Sequence, residues 1–291
     1  MFAITGITGK VGSATARALL DAGHQVRAIV RDQARGASWR SRGCEVAVAD
    51  ISDAPVLAEA LAGAEGAFVL LPPVFAPAPG FADVKATIAS IREALLRSAV
   101  PKAVVLSTIG ADVHRPNLLN GLRFLEEALA DLDMPIAFLR AAWFMENALW
   151  DLPSARDQGV IRSYLQPLDR PVPMVATDDV GHTATALLQT SWTGHKIVEL
   201  EAAPRISPNA IAAAFGKALK RSVEAESVPR AEWADKFRAE GMKNPMPRIQ
   251  MLDGFNEGWI DFRDRGAYSK KGTTSIDQVI RDLVSKPESD R

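Results

Sequence analysis

Apolar positions along the first half of the chain alternate between two periods. The run 2–5 is short and mostly apolar and predicts a buried strand. Glycines follow at Gly6, Gly9 and Gly12, and from Lys10 or Val11 to position 22, Val11, Ala14, Ala18 and Leu19 fall on one helical face. Gly23 is the expected stop, since glycine accepts the left-handed conformation that ends helices. Across 25–30, Val26, Ala28 and Val30 alternate with Gln25, Arg27 and Ile29, the period of a strand. The pattern repeats: helix 34–42, strand 45–49, helix 54–61, a fully apolar strand 66–71, helix 82–98 and strand 102–106. A helix over 117–132 and a strand over 136–139 complete it.

After this the alternation fades. Positions 174–180 predict a short strand running into a helix to 188, 196–200 a strand, 207–219 a helix capped by Ser207, and 224–228 a strand. Helices are expected over 231–240, 249–262 and 274–283, before a polar tail, 286–291. The expectation is an α/β protein: a Rossmann-like doubly wound parallel sheet with a smaller C-terminal α+β substrate region. The dinucleotide-binding domain would span 1–150, with a later return strand near 174–200, and the substrate-binding region 151–291.

A glycine-rich turn between a first strand and a first helix is a dinucleotide-binding arrangement. The turn is tight, the backbone approaches a pyrophosphate, and the helix start presents free N–H groups with the favourable end of its dipole. Arg31 and Asp32 end the second strand, where the adenosine ribose lies in such sheets. A carboxylate there suits NAD, and an arginine suits the 2′-phosphate of NADP. Arg31 comes first, which favours NADP(H) over NAD(H), and Lys10 would add positive charge; the plainer alternative is a pair of solvated loop charges. Asp50 could bond the adenine amino group while Ile51 packs on the ring, and Asp53 could cap the helix after it, with Pro55 in the first turn.

Composition narrows the class. The chain has 291 residues, 47% hydrophobic and 24% charged, with a formal net charge of −1, so nucleic-acid binding has no electrostatic support. One cysteine, Cys44, excludes an internal disulfide and a multi-cysteine metal site and fits a reducing cytoplasm. No apolar run reaches membrane-spanning length, and the N-terminal run belongs to the glycine turn rather than to a signal peptide. The expected partner is a small molecule, with the protein a monomer or homodimer.

Several segments carry a family likeness: Ile4-Thr5-Gly6-Ile7-Thr8-Gly9-Lys10-Val11-Gly12, Val30-Arg31-Asp32, Ala49-Asp50-Ile51, Ser107-Thr108-Ile109-Gly110 and Leu139-Arg140-Ala141-Ala142-Trp143-Phe144-Met145-Glu146-Asn147. Val175-Ala176-Thr177-Asp178-Asp179-Val180 and Gly272-Thr273-Thr274 extend it. They resemble the NmrA-like group of atypical short-chain dehydrogenase/reductases, and within it the NADPH-dependent quinone oxidoreductases. The resemblance implies that Gly6 to Gly12 holds the pyrophosphate with contacts from Thr8, Lys10 and Val11, that Arg31 binds the 2′-phosphate, and that Asp50 and Ile51 flank adenine. It implies that Leu70, Leu71 and Pro72 touch the nicotinamide-side ribose, and that Ala142, Trp143, Phe144 and Asn147 border the nicotinamide and a quinone-like or other aromatic substrate.

The sequence departs from short-chain dehydrogenases in one respect. Where a Tyr-x-x-x-Lys pair is expected, it reads Leu119 to Arg123, and the only tyrosines are Tyr164 and Tyr268. That fits hydride transfer to a quinone-like or conjugated carbonyl without a tyrosine acid. It also fits a non-catalytic NADP-binding redox sensor, or a ketoreductase or isomerase of an aromatic substrate. The remaining proton-bearing candidates are Ser107, ending the fifth strand, which could hydrogen-bond substrate or the cofactor's nicotinamide, and His114 in the loop after it, which could donate a proton; each has a plainer reading, as a strand-end hydroxyl and a solvated histidine. His182 follows two aspartates but lacks converging metal ligands, so no metal site is expected. Trp150, Phe255 and Trp259 read as core aromatics more readily than as a pocket.

Overall fold

The computed structural model describes residues 1–263 and 266–286. The expected tail therefore lies outside the described residues from 287 on. In chain order the elements are β1 (Phe2–Ile4), α1 (Lys10–Asp21), β2 (Val26–Val30), α2 (Ala37–Arg40), β3 (Glu45–Val48), α3 (Ala54–Leu61), β4 (Gly66–Leu70), α4 (Ala82–Ser98) and β5 (Ala103–Thr108). Then come α5 (Asn120–Leu129), β6 (Ile136–Ala141), β7 (Trp143–Phe144), α6 (Leu152–Gln158), β8 (Val160–Ser163), β9 (Met174–Val175), α7 (Thr177–Gln189) and β10 (His195–Ala202). The chain continues through α8 (Pro208–Leu219), β11 (Glu224–Ser227), α9 (Trp233–Ala239), α10 (Met246–Glu257), β12 (Ser269–Gly272) and α11 (Ile276–Ser285).

Eight strands form one parallel sheet in the order β12-β10-β6-β5-β4-β1-β2-β3. The order reverses between β1 and β4, the switch point at which open α/β sheets bind ligands beyond the strands' carboxyl ends. Strand pleating explains the two buried faces. Phe2, Ile4, Val26, Ala28, Val30 and Phe68 point into one apolar layer with Val11 and Leu19 of α1 and Val180 and Leu188 of α7. Ala3, Ile29, Ala67 and Val69 point into the opposite layer with α3, α4 and α5. A strand buried on both faces reads as an unbroken apolar run, as 66–71 does.

The α1–α7 contact is close. A Cβ on Gly181 would stand 2.6 Å from Ala14, so only glycine lets the two helices approach this way. Asp53 accepts from the Val56 amide (3.2 Å) and Ser207 from the Ala210 amide (3.2 Å), which fixes the starts of α3 and α8.

The second half divides. β10 and β12 extend the main sheet, and β9 pairs with β7 in a separate two-stranded ladder. A third apolar core holds Met145, Ala148, Leu152, Phe215, Trp233, Phe237, Phe255 and Ile280, joining α6 and α8 to α11. This lobe sits beyond the carboxyl edge reached by β6. Several ends differ from the sequence expectation: α10 is Met246–Glu257 rather than 249–262, and α5 is Asn120–Leu129 rather than 117–132, its start delayed because the Asn120 side-chain oxygen accepts from the Asn117 amide and the Asn117 and Asn120 side-chain NH2 groups donate to the Arg115 and Val113 carbonyls of the preceding loop.

Candidate active site

The glycine turn is shaped by its contacts. Gly6 has φ +60, and a Cβ there would stand 2.5 Å from Leu70, so the turn lies flat against the end of β4. A Cβ on Gly12 would stand 2.3 Å from the Gly6 carbonyl oxygen, so α1 starts directly under the turn. Thr5 adds the lateral tie: its Oγ1 donates to the Phe68 carbonyl (3.2 Å) and accepts from the Leu70 amide (3.1 Å). Gly9 is the N-cap of α1, no side chain caps that helix, and its first turn carries no acidic residue. Thr8, Gly9 and Lys10 are exposed, whereas Val11 and Gly12 are buried. Exposed residues at an uncapped helix start without a competing carboxylate fit a pyrophosphate.

The end of β2 is charged and open. Arg31 and Asp32 are both exposed, but Asp32 is engaged: it accepts from the Arg35 amide (3.0 Å) and pairs with the Arg35 guanidinium (3.2 Å). Among the described residues Arg31 makes no salt bridge, so it is the more available group of the two. Across from it, Asp50 accepts from the Ser52 hydroxyl (2.5 Å) and amide (2.8 Å). Those bonds, with the charge of Arg31, hold its carboxyl below the usual range against a small burial effect. Ile51 is half-buried beside it.

Lys10 reaches across the sheet edge. Its Nζ donates to the Glu146 carbonyl oxygen (3.1 Å), at the start of the turn after β7. Partial burial lowers its pKa, opposed by the Glu146 charge and aided by Lys286. Burial pushes the Glu146 carboxyl up, although it accepts from the Thr177 amide and hydroxyl (2.8 Å each) at the start of α7. The glycine turn, the 145–151 turn and α7 are joined through this one residue.

Leu70 and Leu71 are half-buried and Pro72 exposed at the end of β4. Ala142 is buried and donates its amide to Leu200 (2.9 Å), while Trp143, Phe144 and Asn147 are half-buried. The Trp143 ring meets Phe255 edge-on, with 5.3 Å between centroids, and the Asn147 amide makes no hydrogen bond among the described residues. In the loop after β4, Phe75 meets Trp150 edge-on at 6.4 Å; both are exposed, 46% and 62%. The candidate cofactor and substrate residues thus lie along one rim, from Arg31 through the glycine turn to the 145–151 turn.

Ser107 is buried, and its hydroxyl donates to Glu126 (2.5 Å). Glu126 also takes a two-pronged bond from Arg140 (2.9 and 2.6 Å), and Asp112 stands between Arg140 (3.7 Å) and Arg263 (2.8 Å). His114 is exposed in the following loop. Leu119 precedes α5, and Arg123 within it pairs with Glu127. Tyr164 follows β8 and packs on Trp233 and Phe237; Tyr268 is exposed before β12. Among the described residues no His/Cys/Asp/Glu group could hold a metal, and no helix is long and apolar enough to cross a membrane.

Three structural features around the site escape the sequence. One is the Glu126–Arg140 pair, although a charged residue inside an otherwise apolar β6 was its trace. The second is the role of Asp179, which accepts from the Thr274 amide and hydroxyl (3.0 Å each) and so ties α7 to the segment after β12. The third is Asp151, at the end of the 145–151 turn.

The parallel sheet, its switch point and the glycine turn define a dinucleotide-binding protein of the Rossmann class. Within that class the chain belongs to the NmrA-like family, whose model matches residues 1–257. It is 25% identical over 290 residues to quinone oxidoreductase 2 of Escherichia coli, covering 99% of this chain and 94% of that one. It is 27% identical over 267 residues to an NAD(P)H azoreductase of Xenophilus azovorans, covering 88% and 85%. The crystal structure of an E. coli NADPH-dependent quinone oxidoreductase in complex with NADPH superimposes with a TM-score of 0.80 at 23% identity, covering 97% of this chain and 99% of that one.

Proposed function

We propose that this protein is an NADP(H)-dependent oxidoreductase that reduces a quinone-like or other conjugated, electron-poor acceptor. The observation that carries the cofactor choice is the open Arg31 beside an Asp32 already engaged by Arg35. A ribose 2′-phosphate finds a guanidinium there, and a ribose hydroxyl finds no spare carboxylate. The quinone oxidoreductase and azoreductase relatives support the reaction class.

Bound NADPH would supply a hydride from its nicotinamide ring. The chain's own work is positional. The uncapped start of α1 would hold the pyrophosphate between Gly6 and Gly12, with Thr8 and Val11 in contact and Lys10 bracing the 145–151 turn. Asp50 and Ile51 would flank adenine. Leu70, Leu71 and Pro72 would border the nicotinamide-side ribose, and Ala142, Trp143, Phe144 and Asn147 the ring and the acceptor. Phe75 and Trp150 would cover the mouth and exclude water. The reading does without a Tyr–Lys acid.

The test is steady-state NADPH oxidation with a panel of small quinones and azo compounds. Turnover above the uncatalysed rate, with NADPH preferred to NADH, is expected. Tight NADPH binding without turnover would instead make the protein a cofactor-binding sensor.

A further inference from the structure

Three large apolar side chains that stay exposed belong to two neighbouring segments: Val74, Phe75 and Trp150, at 38%, 46% and 62%. The Phe75 and Trp150 rings meet edge-on, with planes 77° apart and centroids 6.4 Å apart, near the long end of the range for an aromatic pair. One side of this contact is loosely held. Val74, Phe75 and Ala76 make no hydrogen bond among the described residues. Pro72, Pro73, Pro77 and Pro79 stiffen the loop around them, and at its far end Phe81 packs edge-on against Phe124 of α5 (5.5 Å). The loop is thus anchored at both ends, and its middle carries a ring open to solvent.

Sheet order places this contact. In the run β6-β5-β4-β1, β5 separates the loop after β4 from the turn that follows β6 and β7, so the Phe75–Trp150 contact crosses the carboxyl end of β5. With the adenosine half of a dinucleotide at Arg31 after β2 and the pyrophosphate at the glycine turn after β1, the nicotinamide half extends toward β4 and β5. The Lys10–Glu146 bond reaches the same 145–151 turn from the glycine side. The two aromatic rings therefore stand over the end of the rim where nicotinamide and acceptor would meet. We propose that Phe75 and Trp150 form a clamp for a flat, fused-ring aromatic acceptor, an inference that rests on the reductase reading above and names its substrate class.

The dimensions suit such a guest. A flat ring held between two others needs their planes about 7–8 Å apart, twice the contact distance of carbon atoms. The Phe75 and Trp150 centroids already stand 6.4 Å apart, so an opening of about 1 Å and the turn of one ring into parallel admit it. Phe75 can supply both, since its segment breaks no hydrogen bond when it shifts. Covering the two rings also withdraws apolar surface that the free protein leaves in water. A fused bicyclic quinone offers a face to each ring. A small alicyclic enone carries a conjugated carbonyl but no aromatic face to stack. The clamp thus selects the acceptor by its rings and not by its carbonyl.

The experiment compares the wild type with Phe75→Ala, Trp150→Ala and Trp150→Phe. Binding of 2-methyl-1,4-naphthoquinone to the NADP+-loaded protein, where no hydride is available, is measured by calorimetry. KM values for that quinone and for 2-cyclohexen-1-one are measured with NADPH. Expected in each alanine variant are a naphthoquinone Kd and KM about tenfold higher, the size of one lost ring contact, with the cyclohexenone KM changed by less than about twofold. Trp150→Phe, which keeps a ring, should recover most of the loss, and NADPH affinity should stay as in the wild type. Alanine variants that bind and reduce naphthoquinone as the wild type does overturn this inference alone. So do equal losses for the two acceptors, which would make the rings a shield against water and not a clamp. Absence of wild-type turnover with either acceptor, together with absence of naphthoquinone binding, overturns the reductase reading and the inference with it.

Discussion

The Lys10 ammonium and the Glu146 carbonyl, 136 residues apart, meet at 3.1 Å and join the glycine turn to the segment that borders the acceptor. This contact puts a cation where α1 already offers N–H donors. Lys10→Ala should weaken NADPH about tenfold, the effect of losing one charge-assisted hydrogen bond. Calorimetric titration checks it. A fall in thermal stability with affinity unchanged would make Lys10 a strut for the turn rather than a phosphate ligand.

Arg31 is open and Asp32 is engaged, so the preference between cofactors should depend on one side chain. Arg31→Ala should weaken NADPH about 10- to 100-fold and NADH by less than about threefold. Equal losses for the two cofactors would remove the 2′-phosphate from this position.

The three turn glycines are not equivalent. A Cβ on Gly12 meets the Gly6 carbonyl oxygen at 2.3 Å and its carbon at 2.6 Å, backbone atoms with little room to yield, whereas one on Gly9 meets only the Gly6 oxygen at 3.3 Å. Gly12→Ala should cost about 1–3 kcal/mol and most of the NADPH affinity. Gly9→Ala should leave stability within about 1 kcal/mol of the wild type. Chemical denaturation of both variants, read beside NADPH titration, checks the order.

The Glu126–Arg140 pair is buried under Ser107. Burial works against the Arg140 charge, and the bonds and charge of Glu126, with smaller help from the charges of Asp112 and Glu199, outweigh it. Glu126→Ala removes that compensation and should cost about 3–5 kcal/mol, more than an exposed pair such as Arg97–Glu93 could. Urea denaturation of Glu126→Ala and of Glu93→Ala gives the comparison.

Much of the fold was legible because its signals are local. α4 begins and ends where the apolar spacing says, at Ala82 and Ser98, and β2 shows its alternation in Val26, Ala28 and Val30. β12 was not legible: Ser269-Lys270-Lys271-Gly272 has no apolar pattern, since it lies on the sheet edge and pairs only with β10. The candidate site was legible where chemistry demands a residue type, at the glycines and Arg31. It was not where meaning comes from a distant partner. Nothing near Asp32 in the sequence announces that Arg35 takes it, and Asp151, just ahead of Leu152-Pro153, looks like an ordinary helix start.

Asp151 also predicts how stability depends on pH. An aspartate free in the unfolded chain titrates near 3.8, and in the fold burial moves this one up to about 7. Between those values the folded protein holds a proton that the unfolded chain has released, so stability falls as pH rises. The proton's contribution is complete below the unfolded value and is lost as pH rises through the folded one. Asparagine mimics the protonated form and does not titrate. Asp151→Asn should therefore match the wild type near pH 4, gain on it steadily to about pH 7, and keep a constant advantage above. About 1.4 kcal/mol per pKa unit gives an upper bound of about 4 kcal/mol, and the half-buried side chain brings the expected gain to about 2–3 kcal/mol. Glu146, also raised by burial, adds a slope of the same sign to both proteins, so it cancels in the difference. Urea denaturation of the pair at pH 4.5, 6 and 8 reads that difference directly. A difference that does not change with pH would mean that Asp151 ionises in the fold as it does in the unfolded chain.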